Sequence, residues 1–132
     1  MTFHVNTASK LPIYQQLAQQ VREAIARGEL RPDEALPSVR QLSRDLVVNP
    51  NTVARAYTEL EREGLLVSRP GRGIIVAQPR NDLTRAARDR RLTGQLDRWL
   101  TEAVHLGYSA EEVLALVAAR ARRFRWNAGG AA

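Results

Sequence analysis

Arg40 and Arg44 stand four residues apart in a segment that reads as helical, so their side chains are neighbours on one face. Two guanidinium groups at that spacing repel, and the pair adds nothing to helix stability. A phosphate between them would turn the repulsion into an anion site. Arg40 also falls in the first turn, where free backbone N–H groups and the helix dipole favour an anion. A second arginine pair lies in Arg69-Pro70-Gly71-Arg72-Gly73, beside backbone free of side-chain bulk. That combination suits close approach to a phosphate or to a minor groove. Between the two pairs come Asn49, Pro50, Asn51, Thr52 and Arg55, with no acid before Glu59. Asparagine can bond adenine in a bidentate manner, threonine either base type or a thymine methyl, and arginine guanine. Each residue also has a plainer use. Arg40 and Arg44 could simply be solvated with Asp45 nearby, and Asn49 could only cap. Thr52 could bond within the first turn, Arg55 could pair with Glu59, and the glycine-rich stretch could be an ordinary exposed turn.

Such residues need rigid elements to aim them. Pro12 suits a first helical position, and Ile13, Leu17, Val21 and Ile25 recur every four residues up to a stop at Gly28. Glu29 to Pro37 reads as a connector, with two prolines and no periodicity. Ser38 begins a second helix, and Gln41 three residues on makes a capping box. Val39, Leu42 and Leu46 give its buried stripe, and Val47-Val48 interrupts it. Asn49 and Pro50 open a third helix as cap and first residue, with Val53, Ala56, Tyr57 and Leu60 inward. Gly64 closes it where a left-handed residue is usually needed. Leu65-Leu66-Val67 and Ile74-Ile75-Val76 then form a hairpin around the turn Ser68 to Gly73.

Three helices and a hairpin in this order predict a winged helix-turn-helix over residues 1–78, in a mainly α chain. In a helix-turn-helix the second helix of the motif enters the major groove with its N-terminal residues against base edges. Here that helix opens at Asn49.

Beyond Pro79 the pattern changes. Asn81 or Asp82 could cap a long helix running to about His105, with Leu83, Leu92, Leu96, Leu100 and Ala103 on its apolar face. Gly107 ends it. Ser109 with Glu112 forms a capping box for a last helix bearing Val113, Leu114, Val117, Ala121 and Phe124. Two amphipathic helices cannot hide both apolar faces alone. Residues 79–132 therefore read as a dimerisation region through Leu83, Leu92, Leu96, Leu100, Val113, Val117 and Phe124. Gly94 in mid-helix fits either close packing or tolerated drift. Trp99 and Trp126 could line a pocket for an unidentified small-molecule effector, or serve as packing and interface residues.

Composition bounds the function. The chain has 132 residues and a net charge of +6, carried almost wholly by arginine, which favours a polyanionic partner. There is no cysteine, so disulfides and thiolate metal sites are excluded. His4 and His105 have no carboxylate cluster at ligand spacing, so no metal or other cofactor is expected. No apolar run is long enough to cross a bilayer and the N-terminus lacks a signal-peptide pattern, so a cytoplasmic protein without membrane contact is expected. No P-loop, dinucleotide fingerprint or nucleophile elbow is present, which argues against an enzyme. A winged helix used for protein–protein contact remains a rival. The arginine pairs argue against it, because a protein groove would want apolar or acidic partners there.

Several ordered motifs carry a family resemblance over about half the chain. They are Pro12-Ile13-Tyr14-Gln15-Gln16-Leu17, Gly28-Glu29-Leu30-Arg31-Pro32, Leu36-Pro37-Ser38-Val39-Arg40-Gln41-Leu42, and Val48 to Glu61 ending in Gly64-Leu65. This order resembles the GntR family of bacterial regulators. The short two-helix tail resembles its YtrA-like subfamily rather than branches with larger effector domains. The resemblance implies a winged helix that binds double-stranded operator DNA as a homodimer, with a C-terminal region for dimerisation and often effector sensing. The positions matching the family's DNA contacts are Arg40, Asn49 to Thr52 and the glycine-containing wing tip. Position 54 is alanine where some branches place arginine, so base specificity does not carry over from them. The combined candidate set for DNA is Ser38, Arg40, Arg44, Asn49, Pro50, Asn51, Thr52, Arg55, Arg69, Gly71, Arg72 and Gly73, and the expected role is a repressor acting on an inverted repeat.

Overall fold

The structure, a computed structural model, describes residues 1–79 and 85–126. Its elements are α1 (Ile13–Ala26), α2 (Val39–Leu46), α3 (Pro50–Arg62), β1 (Leu66–Arg69), β2 (Gly73–Val76), α4 (Arg85–His105) and α5 (Ala110–Ala121). The described residues form two compact units, 1–79 with 125–126, and 85–124.

In the first unit α1 lays Leu17, Ala18, Val21 and Ala24 against Val53, Ala56, Tyr57 and Leu60 of α3. The four-residue recurrence in α1 and the matching stripe in α3 therefore do meet in one core. Pro12 sits just outside α1, its carbonyl accepting from the Gln15 and Gln16 N–H groups, so the helix starts one residue later than the sequence suggests. Gly28 ends it with φ +79, in the left-handed region where a Cβ is disfavoured. Arg125 donates its N–H to the Ala26 carbonyl at 2.7 Å beside this end.

The N-terminal arm is tied to α1 by two glutamines one turn apart. Gln20 accepts from the His4 N–H and donates to the His4 carbonyl, and Gln16 does the same with Asn6. Each amide thus takes the place of a neighbouring strand's peptide. Phe3 and Val5 are left free to pack against the core.

The connector 29–37 is more structured than its prolines imply. Asp33 donates to the Val76 carbonyl (2.8 Å), Leu36 to that of Ile74 (2.9 Å), and Val76 to that of Glu34 (2.9 Å). Ala35 bridges Ile75, so β2 is flanked on both sides by backbone. β1 and β2 pair antiparallel with Leu66 opposite Val76 and Arg69 opposite Gly73. The ladder runs into residues read from the sequence as turn, and only Pro70, Gly71 and Arg72 remain at the tip.

In the second unit the Ser109 capping box is complete. Ser109 Oγ accepts from the Glu112 N–H at 3.1 Å, and Glu112 accepts from the Ser109 N–H at 2.9 Å. Those bonds hold the Glu112 carboxyl below the usual carboxylate range. Tyr108 donates to the Ala103 carbonyl around Gly107, whose φ is +87. Ala103 and Val113 are the unit's buried residues among those described. The expected caps Asn81 and Asp82, and Leu83, lie outside the described residues. No described helix is long and apolar enough to cross a membrane.

Candidate nucleic-acid interface

The joint between α2 and α3 sets the geometry of the site. Ser38 caps α2 through its Oγ, which accepts from the Gln41 N–H at 3.0 Å. The reciprocal half of the expected capping box is absent, because the Gln41 side chain donates to Asp45 instead (2.9 Å). This diverts Asp45 from the arginines. Val47 then turns the chain in the left-handed conformation, φ 53 and ψ 52. Val47 N–H bonds the Arg44 carbonyl and Val48 N–H that of Ser43, which completes the helix end. A β-branched residue at positive φ is strained, and 90% of Val47 is exposed. It therefore gains no burial in exchange. What its conformation achieves is the sharp reversal into α3.

Arg40 and Arg44 are exposed, and among the described residues neither side chain makes a hydrogen bond or ion pair. No acid occupies the first turn of α2. The anion site argued from spacing thus keeps both guanidinium groups and a helix N-terminus with no acidic side chain in its first turn.

At the start of α3 the capping use of Asn49 is realised. Its Oδ1 accepts from the Asn51 N–H at 2.8 Å, with Pro50 as first helical residue. Asn51 is exposed and Thr52 half-buried, and neither side chain is engaged among the described residues. Arg55 does not pair with Glu59. Its guanidinium lies 3.9 Å above the ring centroid of Tyr14, on α1. Neither periodicity nor local spacing could show this contact, since it needs α1 and α3 already packed. α3 is itself held from behind. Tyr57 donates its hydroxyl to the Pro37 carbonyl at 2.7 Å, and burial pushes that phenol above the usual tyrosine range. Arg22 of α1 binds Glu63 past the far end of α3 through Nε at 2.8 Å.

In the wing, Arg69 is exposed and unpaired among the described residues. Arg72 reaches back to the Asp33 carbonyl (3.2 Å), which ties the tip to the connector. Gly71 and Gly73 have φ +77 and +79, and a Cβ at either would meet nothing within 4 Å. Backbone conformation, rather than a close approach by any described residue, therefore calls for glycine there.

The second unit presents apolar side chains outward. Leu92 is 65% exposed and Leu96 48%; Val117 is exposed and Leu100 and Phe124 are half-buried. Val113, expected at an interface, is buried within its own hairpin. Trp99 and Leu114 are exposed too, and Leu106 and Leu116 extend the exposed surface beyond the residues the sequence singled out. Around Gly94 a Cβ would meet nothing within 4 Å among the described residues, so none of them packs closely there.

Residues 13–76 match the model of the bacterial regulatory proteins of the gntR family. The chain is 34% identical over 109 residues to the HTH-type transcriptional repressor YtrA of Bacillus subtilis (strain 168), covering 83% of this chain and 84% of that one. Among solved structures it is similar to a transcriptional antiterminator from Listeria monocytogenes EGD-e, with a TM-score of 0.75, 32% identity, and coverage of 92% and 90% of the two chains. It is also similar to the AraR DNA-binding domain in complex with operator ORX1. That match has a TM-score of 0.52 and 28% identity, and covers 58% of this chain and 99% of the other.

Proposed function

The chain belongs to the GntR family of bacterial regulatory proteins and is similar to its YtrA-like branch, and from that premise we propose that it is a sequence-specific DNA-binding repressor. It acts as a homodimer on an inverted-repeat operator in the cytoplasm, and it is a binding protein rather than a catalyst. One observation carries the reading. Arg40, in the acid-free first turn of α2, and Arg44, in its last turn, stand exposed and unpaired among the described residues, immediately before a turn into the polar N-terminus of α3.

In this reading α3 enters the major groove. Asn51, Thr52 and Arg55 face base edges, while Asn49 and Pro50 fix the start of the helix. Ser38, Arg40 and Arg44 address the flanking backbone or an adjacent base. The wing, through Arg69, Gly71, Arg72 and Gly73, follows phosphates or the minor groove. The second unit pairs two copies through Leu92, Leu96, Leu100 and Val117, with Trp99 beside them. Leu83 and Phe124 complete the seam expected from sequence, whereas Val113 is buried within its own unit and takes no part. Pairing holds two α3 helices one DNA turn apart, ~34 Å.

Selection of duplexes from a random pool tests this, followed by titration of the selected duplex against salt. Neutralising several phosphates per subunit predicts a fall of roughly 10³-fold or more between about 50 and 200 mM salt. Affinity that stays flat over that range contradicts the reading.

A further inference from the structure

Arg55 is the one candidate base-reading side chain whose guanidinium face is already occupied. It lies over Tyr14 at 3.9 Å from the ring centroid, a distance at which the ring's negative face attracts the cation. A guanidinium carries its five N–H donors in its own plane. Stacking therefore covers the face and leaves every edge donor available. None of those donors is used, because Arg55 is exposed and makes no hydrogen bond among the described residues. Tyr14 is in turn fixed. It is half-buried and packed against the core of the first unit, and its hydroxyl accepts from Gln15 Nε2 at 3.0 Å.

A long side chain loses rotamer freedom when it docks, and each such immobilisation weakens binding. A ring that holds the guanidinium in one plane beforehand removes part of that loss. It also restricts which base edge the N–H fork can meet, since a bidentate pair with guanine needs the two groups coplanar. Nothing at the start of α3 does this for Asn51 or Thr52.

We infer that Tyr14 on α1 is a positioning residue for base recognition, a π platform that pre-orients the Arg55 guanidinium so that its edge donors read one base pair of the operator. The inference rests on the proposed DNA-binding function.

The test is a double-substitution cycle in the full chain, on the duplex that the unaltered chain selects and on single-base variants of it. Tyr14→Leu should weaken binding to the selected duplex by roughly three- to tenfold, the range that a cation–π contact corresponds to. It should also flatten preference at the same base pair that Arg55→Ala flattens, with binding to unrelated duplex unchanged. Tyr14→Phe keeps the ring and should stay within about twofold of the parent chain. Combined with Arg55→Ala, Tyr14→Leu should cost nothing further. If Tyr14→Leu fails to fold, Tyr14→Met fills a similar volume without a ring and carries the same expectations. Additive effects of the two substitutions, or equal losses in Tyr14→Phe and Tyr14→Leu, overturn the platform while leaving the DNA-binding function intact. An Arg55→Ala chain that still discriminates at every base pair overturns it at its premise. A parent chain that selects no duplex removes the function itself.

Discussion

The two units of this chain solve the problem of apolar surface in opposite ways. The first buries Leu17, Val21, Val53, Tyr57, Leu60 and Val76 almost completely, and it closes its helix ends with Ser38, Asn49, Gly28 and Gly64. The second has a complete capping box at α5, yet it buries only Ala103 and Val113 among its described residues and leaves leucines and a tryptophan facing out. Local signals are satisfied in both, and a core is present in one. The contrast separates what a segment needs to form helices from what it needs to be stable. Helix formation is decided within a turn or two, whereas stability depends on burial, which in the proposed homodimer a second copy would supply.

The comparison breaks most visibly at the apolar seam. Leu92→Glu with Leu96→Glu should leave α1–β2 folded by circular dichroism and abolish self-association in sedimentation. Affinity for the full operator should fall by at least about 10²-fold as the tethering of two half-site binders is lost. Monomers that bind the full site as tightly as the parent would place the pairing surface elsewhere.

Within the first unit, Arg40→Ala should weaken operator binding by roughly 1–3 kcal/mol if Arg40 meets a base, with relaxed preference at that base pair. If it meets phosphate, binding to all sequences should fall together and the salt slope should become shallower. Thermal stability should be equal or slightly higher once repulsion from Arg44 is gone. Unchanged affinity in a titration would remove Arg40 from the interface.

The smallest effect concerns the joint. Val47→Gly relieves a left-handed β-branched residue that gains no burial. Part of that relief is offset by the greater freedom of glycine in the unfolded chain. A net gain of about 0.5–1 kcal/mol is expected, seen as a melting point a few degrees higher. A lower melting point would show that the valine side chain contributes packing its exposure does not reveal.

What the sequence made legible follows the same division. Ser38, Asn49, Pro50, Gly64 and the Ser109–Glu112 pair act within one helical turn, so spacing alone places the helices they bound. The stripes in α1 and α3 were readable because a buried face repeats its period. The contacts that escaped all span the chain. The bridge of the connector to β2, the two glutamine clamps on the N-terminal arm, Arg72 on Asp33 and Arg55 on Tyr14 join residues that only tertiary packing brings together. The capping box at Ser38 was half wrong for a related reason, since Gln41 had Asp45 as a competing partner one turn on.

The division of labour is tested most directly by removing the second unit. The chain cut after Pro79 loses residues 125–126 of the first unit, with the Arg125–Ala26 bond, but retains every residue of the buried core from Leu17 to Val76. It should fold, sediment as a monomer, bind a half-site weakly and lose most of its preference for the full inverted repeat. The intact chain should sediment as a dimer and bind the full repeat far more tightly than either half. A truncated chain that still sediments as a dimer, or that binds the full repeat as tightly as the intact protein, would contradict the account.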